Sequence, residues 1–197
     1  MTATTLTSEL EAINTMLTAA DEAPVTSLAA TGIFPLDNAK SILSEVSRTV
    51  QSTGWAFNTE ERFPLARSVG GDISLPPNAL SVDVDDDPDV DPVQRGSVLY
   101  DRKGHTAIFT RDLTATVVFL LAWDELPQPA RNYIMVRATR VLQARSSATD
   151  STKGFTEDDE RAAWVALREH EAKSSDANML RDSWSVGSVL YGREGLL

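Results

Sequence analysis

Six aspartates lie between residues 83 and 91, in the segment DVDDDPDVD, with no basic residue among them. Carboxylates at alternate positions are typical of a calcium-binding loop, and with Asp83 in the first position the third, fifth and seventh are also aspartate. The sixth position is Pro88 instead of glycine, and the twelfth is Gln94 instead of a bidentate glutamate. A solvated hairpin loop of mutually repelling acids is therefore favoured over a specific calcium site. The acids concerned are Asp83, Asp85, Asp86, Asp87, Asp89 and Asp91.

Residues that catalyse reactions or hold cofactors are scarce in the rest of the chain. His105 and His170 are the two histidines, and neither belongs to an H-E-x-x-H helix or a cluster with metal-ligand spacing. The absence of cysteine excludes disulfides, thiolate nucleophiles and thiolate metal sites. The chain also lacks a G-x-S-x-G elbow and the glycine-rich motifs of nucleotide binding. Serine and aspartate are plentiful, so a catalytic triad stays open but has no motif to support it. We name no catalytic residue and expect no metal site and no cofactor.

Large aromatic residues occur at two places where they invite a functional interpretation. Trp55 and Phe57 lie in the segment QSTGWAFN. Burying such a side chain removes roughly 150–250 Å² from water, at about 25 cal/mol per Å², so we interpret both as structural anchors instead of ligand contacts. Trp184, Leu190 and Tyr191 lie in a segment without a helical or strand period that would bury them. Exposed apolar residues of this kind mark docking contacts, and we predict that these three are interface residues.

The charge balance limits the partners of the chain. Eighteen basic and 29 acidic residues give a formal net charge of −11, which opposes electrostatic capture by nucleic acid or by anionic membranes. The N-terminal sequence MTATTLTSEL lacks the features of a secretory signal. The most apolar run, residues 115–123, has about half of the roughly 20 residues that a membrane helix needs, so it predicts a buried strand.

Two helices are predicted before residue 54. Ser8 and Glu11 have the spacing of a capping box, and the apolar residues that follow predict a first helix over about residues 8–20. A second helix is expected to begin near Asp37 or Asn38, either of which can cap it. Gly54 is placed to end it in the left-handed conformation.

Beyond Gly54 the apolar period changes from 3.6 to about two, which predicts a small antiparallel β unit whose first strand begins at Trp55. Further extended segments are expected at residues 72–75, 79–84, 96–100, 106–109 and 115–123. Pro127 then suits the first turn of a third helix, and Thr156 is the expected N-cap of a fourth helix that ends near Lys173.

Together these elements predict an α+β fold. Its four-helix core is formed by two sequence-separated helical pairs, which must meet because no single helix buries its apolar stripe alone. The expected boundaries are residues 1–53 and 125–178 for the helical core, 54–124 for the β insert domain and 179–197 for an extended C-terminal tail.

Five short segments, in this order and spacing, resemble the tail tubular protein A family of short-tailed bacteriophages, over about residues 8–180. They are Glu9-Leu10-x-Ala12-x-Asn14-x-x-Leu17, Pro24-Val25-x-Ser27-Leu28, Gln51-x-x-Gly54-Trp55-x-Phe57-Asn58-x-Glu60, Arg95-Gly96-x-x-Leu99-Tyr100-Asp101 and Leu126-Pro127-x-x-Ala130-Arg131-x-Tyr133-Ile134.

The resemblance implies a structural virion protein with no enzyme activity. Such proteins are head-to-tail adaptors that form a dodecameric ring between the portal protein and a tail nozzle protein of the tail tubular protein B type. It further implies a place in the virion tail, assembly in the host cytoplasm, no membrane partner, and non-specific passage of double-stranded DNA through the ring. The acids between Asp83 and Asp91 are candidates for the channel wall, and an outward-facing loop is the alternative. A tail-associated hydrolase of host-envelope polymers is the alternative function.

Overall fold

The computed structural model of the chain describes residues 6–30, 32–84, 89–145 and 154–182. It has the predicted α+β fold, with four α-helices and small antiparallel sheets. The elements in chain order are α1 (Glu9–Ala19), α2 (Phe34–Gln51), β1 (Thr59–Leu65), β2 (Ala79–Val84), β3 (Pro92–Arg95), β4 (Val98–Asp101), β5 (Leu113–Phe119), a short 3-10 helix (Trp123–Glu125), α3 (Gln128–Arg145) and α4 (Glu157–Asp182).

Helix α3 is the centre of the helical core, because α1, α2 and α4 all pack against it. Its apolar stripe is fully buried at Ala130, Ile134 and Ala138. The two helical pairs, distant in sequence, therefore share one hydrophobic core, as expected for helices that cannot bury their stripes alone. No described helix combines the length and the apolar character needed to span a membrane.

The start of α1 is the capping box that the sequence predicts. The backbone N–H of Glu11 donates to Ser8 Oγ, and Glu11 Oε2 accepts from the backbone N–H of Ser8 at 2.7 Å. These hydrogen bonds, the backbone one first, lower the pKa of the Glu11 carboxyl. The expected left-handed turn after α2 is also present, with φ +76° at Gly54.

The predicted start of α2 is wrong. The helix begins at Phe34, with Ile33 as its N-cap and no side-chain hydrogen bond to that cap. Pro35 lies in the first turn, where its fixed φ suits a helix and its missing N–H costs nothing. Asp37 therefore lies inside the first turn, where its charge favours the positive end of the helix dipole, and does not cap the helix.

The β unit, defined here as β1 to β5 with their connections, has its own core. Strand β5 lies between β1 and β2 in an antiparallel sheet, and β3 pairs with β4 in a separate hairpin. Leu113, Ala115 and Val117 of β5 are buried, so the apolar run is the buried strand that its composition predicts. The strand ends at Phe119, before the predicted limit, because the chain then turns into the 3-10 helix.

Several predicted boundaries in the β unit differ from the structure. Strand β1 begins at Thr59, and residues 55–57 belong to the turns before it. Residues 72–75 and 106–109 make isolated bridges only. Strand β3 was not predicted, because Pro92 indicates a turn; a proline is tolerated as the first residue of a strand. Helix α4 continues beyond Lys173 to Asp182, so residues 179–182 are helical instead of extended.

Candidate functional site

The chain passes between the helical core and the β unit twice, after α2 and after β5, and the two passages lie side by side. We call this place, residues 51–58 and 119–121, the junction. Gly54 lets the first passage turn with a positive φ, and a Cβ atom there would lie 3.2 Å from Val118 Cγ2. The positive φ therefore favours glycine, and any larger residue would also require Val118 to shift by a few tenths of an ångström.

Gln51, the last residue of α2, joins the helix to the second passage. Its side chain is fully buried. Its Oε1 accepts from the backbone N–H of Leu121 at 2.8 Å, and its Nε2 donates to the backbone oxygen of Leu121 at 3.2 Å and to Ser47 Oγ at 3.0 Å. The amide group thus pairs with both backbone groups of Leu121, as a neighbouring strand would.

Asn58 makes the complementary connection from the first passage. It is 3% exposed. Its Nδ2 donates to the backbone oxygens of Gln51 at 3.0 Å and Phe119 at 2.7 Å, and its Oδ1 accepts from the backbone N–H of Trp55 at 2.8 Å. Buried polar groups that are satisfied in this way hold one geometry, because every alternative leaves an unpaired donor or acceptor.

The two predicted anchors lie at the junction, Trp55 buried at 1% exposure and Phe57 half-buried. Trp55 Nε1 donates to the backbone oxygen of Val50 at 2.8 Å. Its ring stacks on Phe57 with centroids 6.3 Å apart and meets Trp164 of α4 edge to face at 5.4 Å. Trp55 thus contacts both the end of α2 and α4.

Helix α4 also binds the junction through a hydrogen bond. Glu171 Oε1 accepts from the backbone N–H of Ala56 at 2.8 Å. One turn further towards the start of the helix, Arg168 lies over the ring of Trp164, with 5.9 Å between the guanidinium carbon and the ring centroid. The junction therefore connects α2, the β unit and α4, and it provides positioning and rigidity instead of a reactive group.

The acidic segment has basic partners that its sequence did not show. Asp91 lies 2.8 Å from Arg102 Nη2 and Asp89 lies 3.9 Å from Arg111 Nη2, in two solvent-exposed ion pairs. Asp83 is exposed near the end of β2. Asp85, Asp86 and Asp87 lie outside the described residues. Within the described ranges, no group of three or more histidines and carboxylates is placed to hold a metal ion.

Asp101 is a structural acid that the sequence reading missed. It is 4% exposed and accepts from the backbone N–H groups of Asp91 and Gly104 at 2.8 Å and of Lys103 at 2.9 Å. These bonds, that from Asp91 first, lower the pKa of the Asp101 carboxyl, although burial raises it. The aspartate followed three residues later by glycine is the signal that identifies such a turn.

Trp184, Leu190 and Tyr191 lie outside the described residues. His105 has φ +53° in the turn after β4, and His170 is half-buried on α4. Of the predicted site residues that the structure describes, Trp55 and Phe57 are in contact with each other.

Comparison with known families gives a direct assignment. The family model described as tail tubular protein matches residues 10–177, which is most of the chain. A search of curated proteins gives no match. The matched region contains the entire junction, α2, α3, all of α1 except Glu9, and α4 except its last five residues. The chain belongs to the phage tail tubular protein family and is a structural component of the virion tail.

Proposed function

We propose that this protein is a head-to-tail adaptor, a ring that connects the portal protein to the tail nozzle and forms part of the DNA ejection channel. The observation that carries the proposal is the junction. Gln51, Gly54, Trp55 and Asn58, which belong to one family-like segment, are the residues that tie the helical core to the β unit. An adaptor must keep its two ends at a fixed angle, and a satisfied buried polar network supplies that rigidity.

The ring itself follows from the demands of a closed assembly. Identical subunits close into a ring through heterologous contacts, in which two different faces of one subunit meet, and closure at a fixed number needs a rigid subunit. We propose a homododecamer. Its further partners are the portal protein and a nozzle protein of the tail tubular protein B type, with no membrane and no cofactor. Assembly takes place in the host cytoplasm.

We assign a role to each of the predicted domains. Residues 1–53 and 125–178 form the helical core, 54–124 the β insert domain with Trp55 and Phe57 as its anchors, and 179–197 a tail that docks through Trp184, Leu190 and Tyr191. The negative charge of each subunit repels duplex phosphates within a Debye length of about 8 Å, so DNA passes without binding. Because the tail tubular family is structural, the proposal includes no enzyme activity.

Electron microscopy of the purified full chain, alone and with the portal protein, tests the proposal. We expect rings of uniform subunit number, either spontaneously or on the portal. A stable monomer that forms no ring with the portal present would contradict the adaptor function.

A further inference from the structure

A large aromatic side chain projects into solvent at the start of α2. Phe34 is 80% exposed, and its neighbour Ile33 is 41% exposed. Within the described residues no side chain caps this helix end, because Ile33 supplies no side-chain hydrogen bond to it. The start of α2 thus presents an apolar tip and a partial positive charge to whatever approaches it.

A cavity of a matching kind lies between α3 and α4. Its volume is about 260 Å³ and it opens to solvent, so a side chain of a neighbouring molecule can enter it. Two aromatic residues, Tyr133 and Trp164, line it, with ring centroids 5.1 Å apart. The other lining residues are charged: Arg140, Glu157, Glu160 and Arg161.

The charged side chains around this cavity differ in whether they form ion pairs within the subunit. Glu160 accepts from both Arg137 and Arg140, so it is neutralised within the subunit. Glu157 is exposed in the first turn of α4 and has no ion-pair partner among the residues that the structure describes. Arg161 is 68% exposed and contacts Asp158 only through a surface pair, which contributes little.

We propose that Phe34 of one copy enters this cavity in the next copy around the ring and packs against the exposed faces of Tyr133 and Trp164, which already touch each other. Its own cavity does not hold it, because the side chain is exposed within its subunit. The charges also agree: Glu157 brings a carboxylate to the uncapped N-terminus of α2, and Asp37, one turn along α2, meets Arg161.

The tip and the cavity are two different surfaces of one subunit, and in a ring they make a heterologous contact that repeats from copy to copy until the ring closes. A reciprocal two-fold dimer would use the same residues but would stop at two copies. The inference depends on the proposed adaptor function, because it names the contact that builds the ring.

Cross-linking tests this contact without background, since the chain contains no cysteine. The variants Ile33→Cys, which keeps Phe34 and lies beside it at 41% exposure, and Arg161→Cys are prepared singly, mixed in equal amounts and treated with a short bismaleimide. We expect a covalent dimer in the mixture and none with either variant alone. A chain carrying both substitutions should give a ladder of oligomers. The matched control pairs Arg161→Cys with Val69→Cys, a fully exposed position on the β unit, and should give no dimer.

The Phe34→Ala variant supplies the energetic test. Removing a central aromatic contact should weaken assembly about tenfold or more and leave the melting temperature of the subunit unchanged, because the side chain is exposed.

Rings without the cross-linked dimer, or unchanged assembly of Phe34→Ala, would overturn this contact and leave the adaptor function standing. Equal cross-linking in the Val69 control would also overturn it. Chains that form neither rings nor dimers would contradict both proposals.

Discussion

Gln51 and Asn58 place two uncharged amides in the interior, where each polar atom must find a partner. Both side chains use backbone groups of the opposite passage, at Leu121 and Phe119. Such bonds add little net stability when made, but an unpaired buried group costs about 1–3 kcal/mol. The junction therefore holds one geometry because any other arrangement would leave buried polar groups without hydrogen bonds.

Asn58→Leu should lower the free energy of unfolding by about 2–3 kcal/mol or more, because it keeps the branching of the side chain but leaves buried backbone groups unpaired. Urea denaturation measures this change. The matched control is Asn78→Leu, since Asn78 makes one exposed hydrogen bond of 3.3 Å to Leu120 and should change stability by less than about 0.5 kcal/mol. Equal effects of the two substitutions would show that burial of Asn58 does not matter.

Trp55→Ala should cost about 3–5 kcal/mol, as removal of a large buried aromatic does. The substitution also frees the edge of the Trp164 ring, so α4 should loosen from the junction. Thermal melting measures the first effect and hydrogen exchange of α4 the second. An unchanged melting temperature would refute the role of Trp55 as an anchor.

At the scale of elements, the β3–β4 hairpin depends on one carboxylate. Asp101 holds the turn after β4 and the start of β3 together through three backbone N–H groups. Its pKa is lowered in the folded chain, so the carboxylate contributes stability above its unfolded pKa of about 4. That contribution is lost as the pH falls through the folded pKa.

Asp101→Asn should therefore destabilise the chain near neutral pH and weaken the acid dependence of its melting temperature. Asparagine has only one acceptor oxygen. Its NH₂ group takes the place of the second carboxylate oxygen, so a backbone N–H loses its acceptor and faces another donor. Melting curves at about pH 7 and about pH 3 test this. Asp83→Asn, at an exposed strand position, is the control and should change neither curve. A parallel acid dependence of wild type and Asp101→Asn would contradict the assignment.

Features that depend on residues close together in sequence could be predicted. Features that depend on contacts between distant parts of the chain could not. The Ser8–Glu11 box located α1 because both partners lie in one turn. The start of α2 was missed because Pro35 competes with the capping residues that follow it. At the junction, the glycine and aromatic residues of the segment around Trp55 could be recognised in the sequence and predicted a structural anchor. The pairing of Gln51 with Leu121 could not be predicted, because it joins residues 70 positions apart in sequence.

At the scale of the whole molecule, the net charge of −11 belongs to every copy of the proposed ring. Asp83→Lys with Asp89→Lys should slow DNA ejection, because lysines on a channel wall attract the phosphates that aspartates repel. Ejection kinetics of phage carrying these changes measure the effect. The control makes the same charge change at Asp21 and Glu22, between α1 and α2. Unchanged ejection kinetics would show that the acidic segment does not line the channel. Equal slowing in the Asp83/Asp89 variant and the Asp21/Glu22 variant would show that the effect comes from net charge alone.

The adjacency of the two passages has an evolutionary consequence. The backbone N–H of Phe119 donates to the oxygen of Asn58 at 2.8 Å, so the β unit leaves the helical core and returns to it at almost the same point. A segment whose ends meet is replaceable as a cassette, since its exchange leaves the chain path of the host fold intact. Recombination between related phages at these two positions would transplant a whole β unit and keep the helices, and with them the contacts around α3, unchanged.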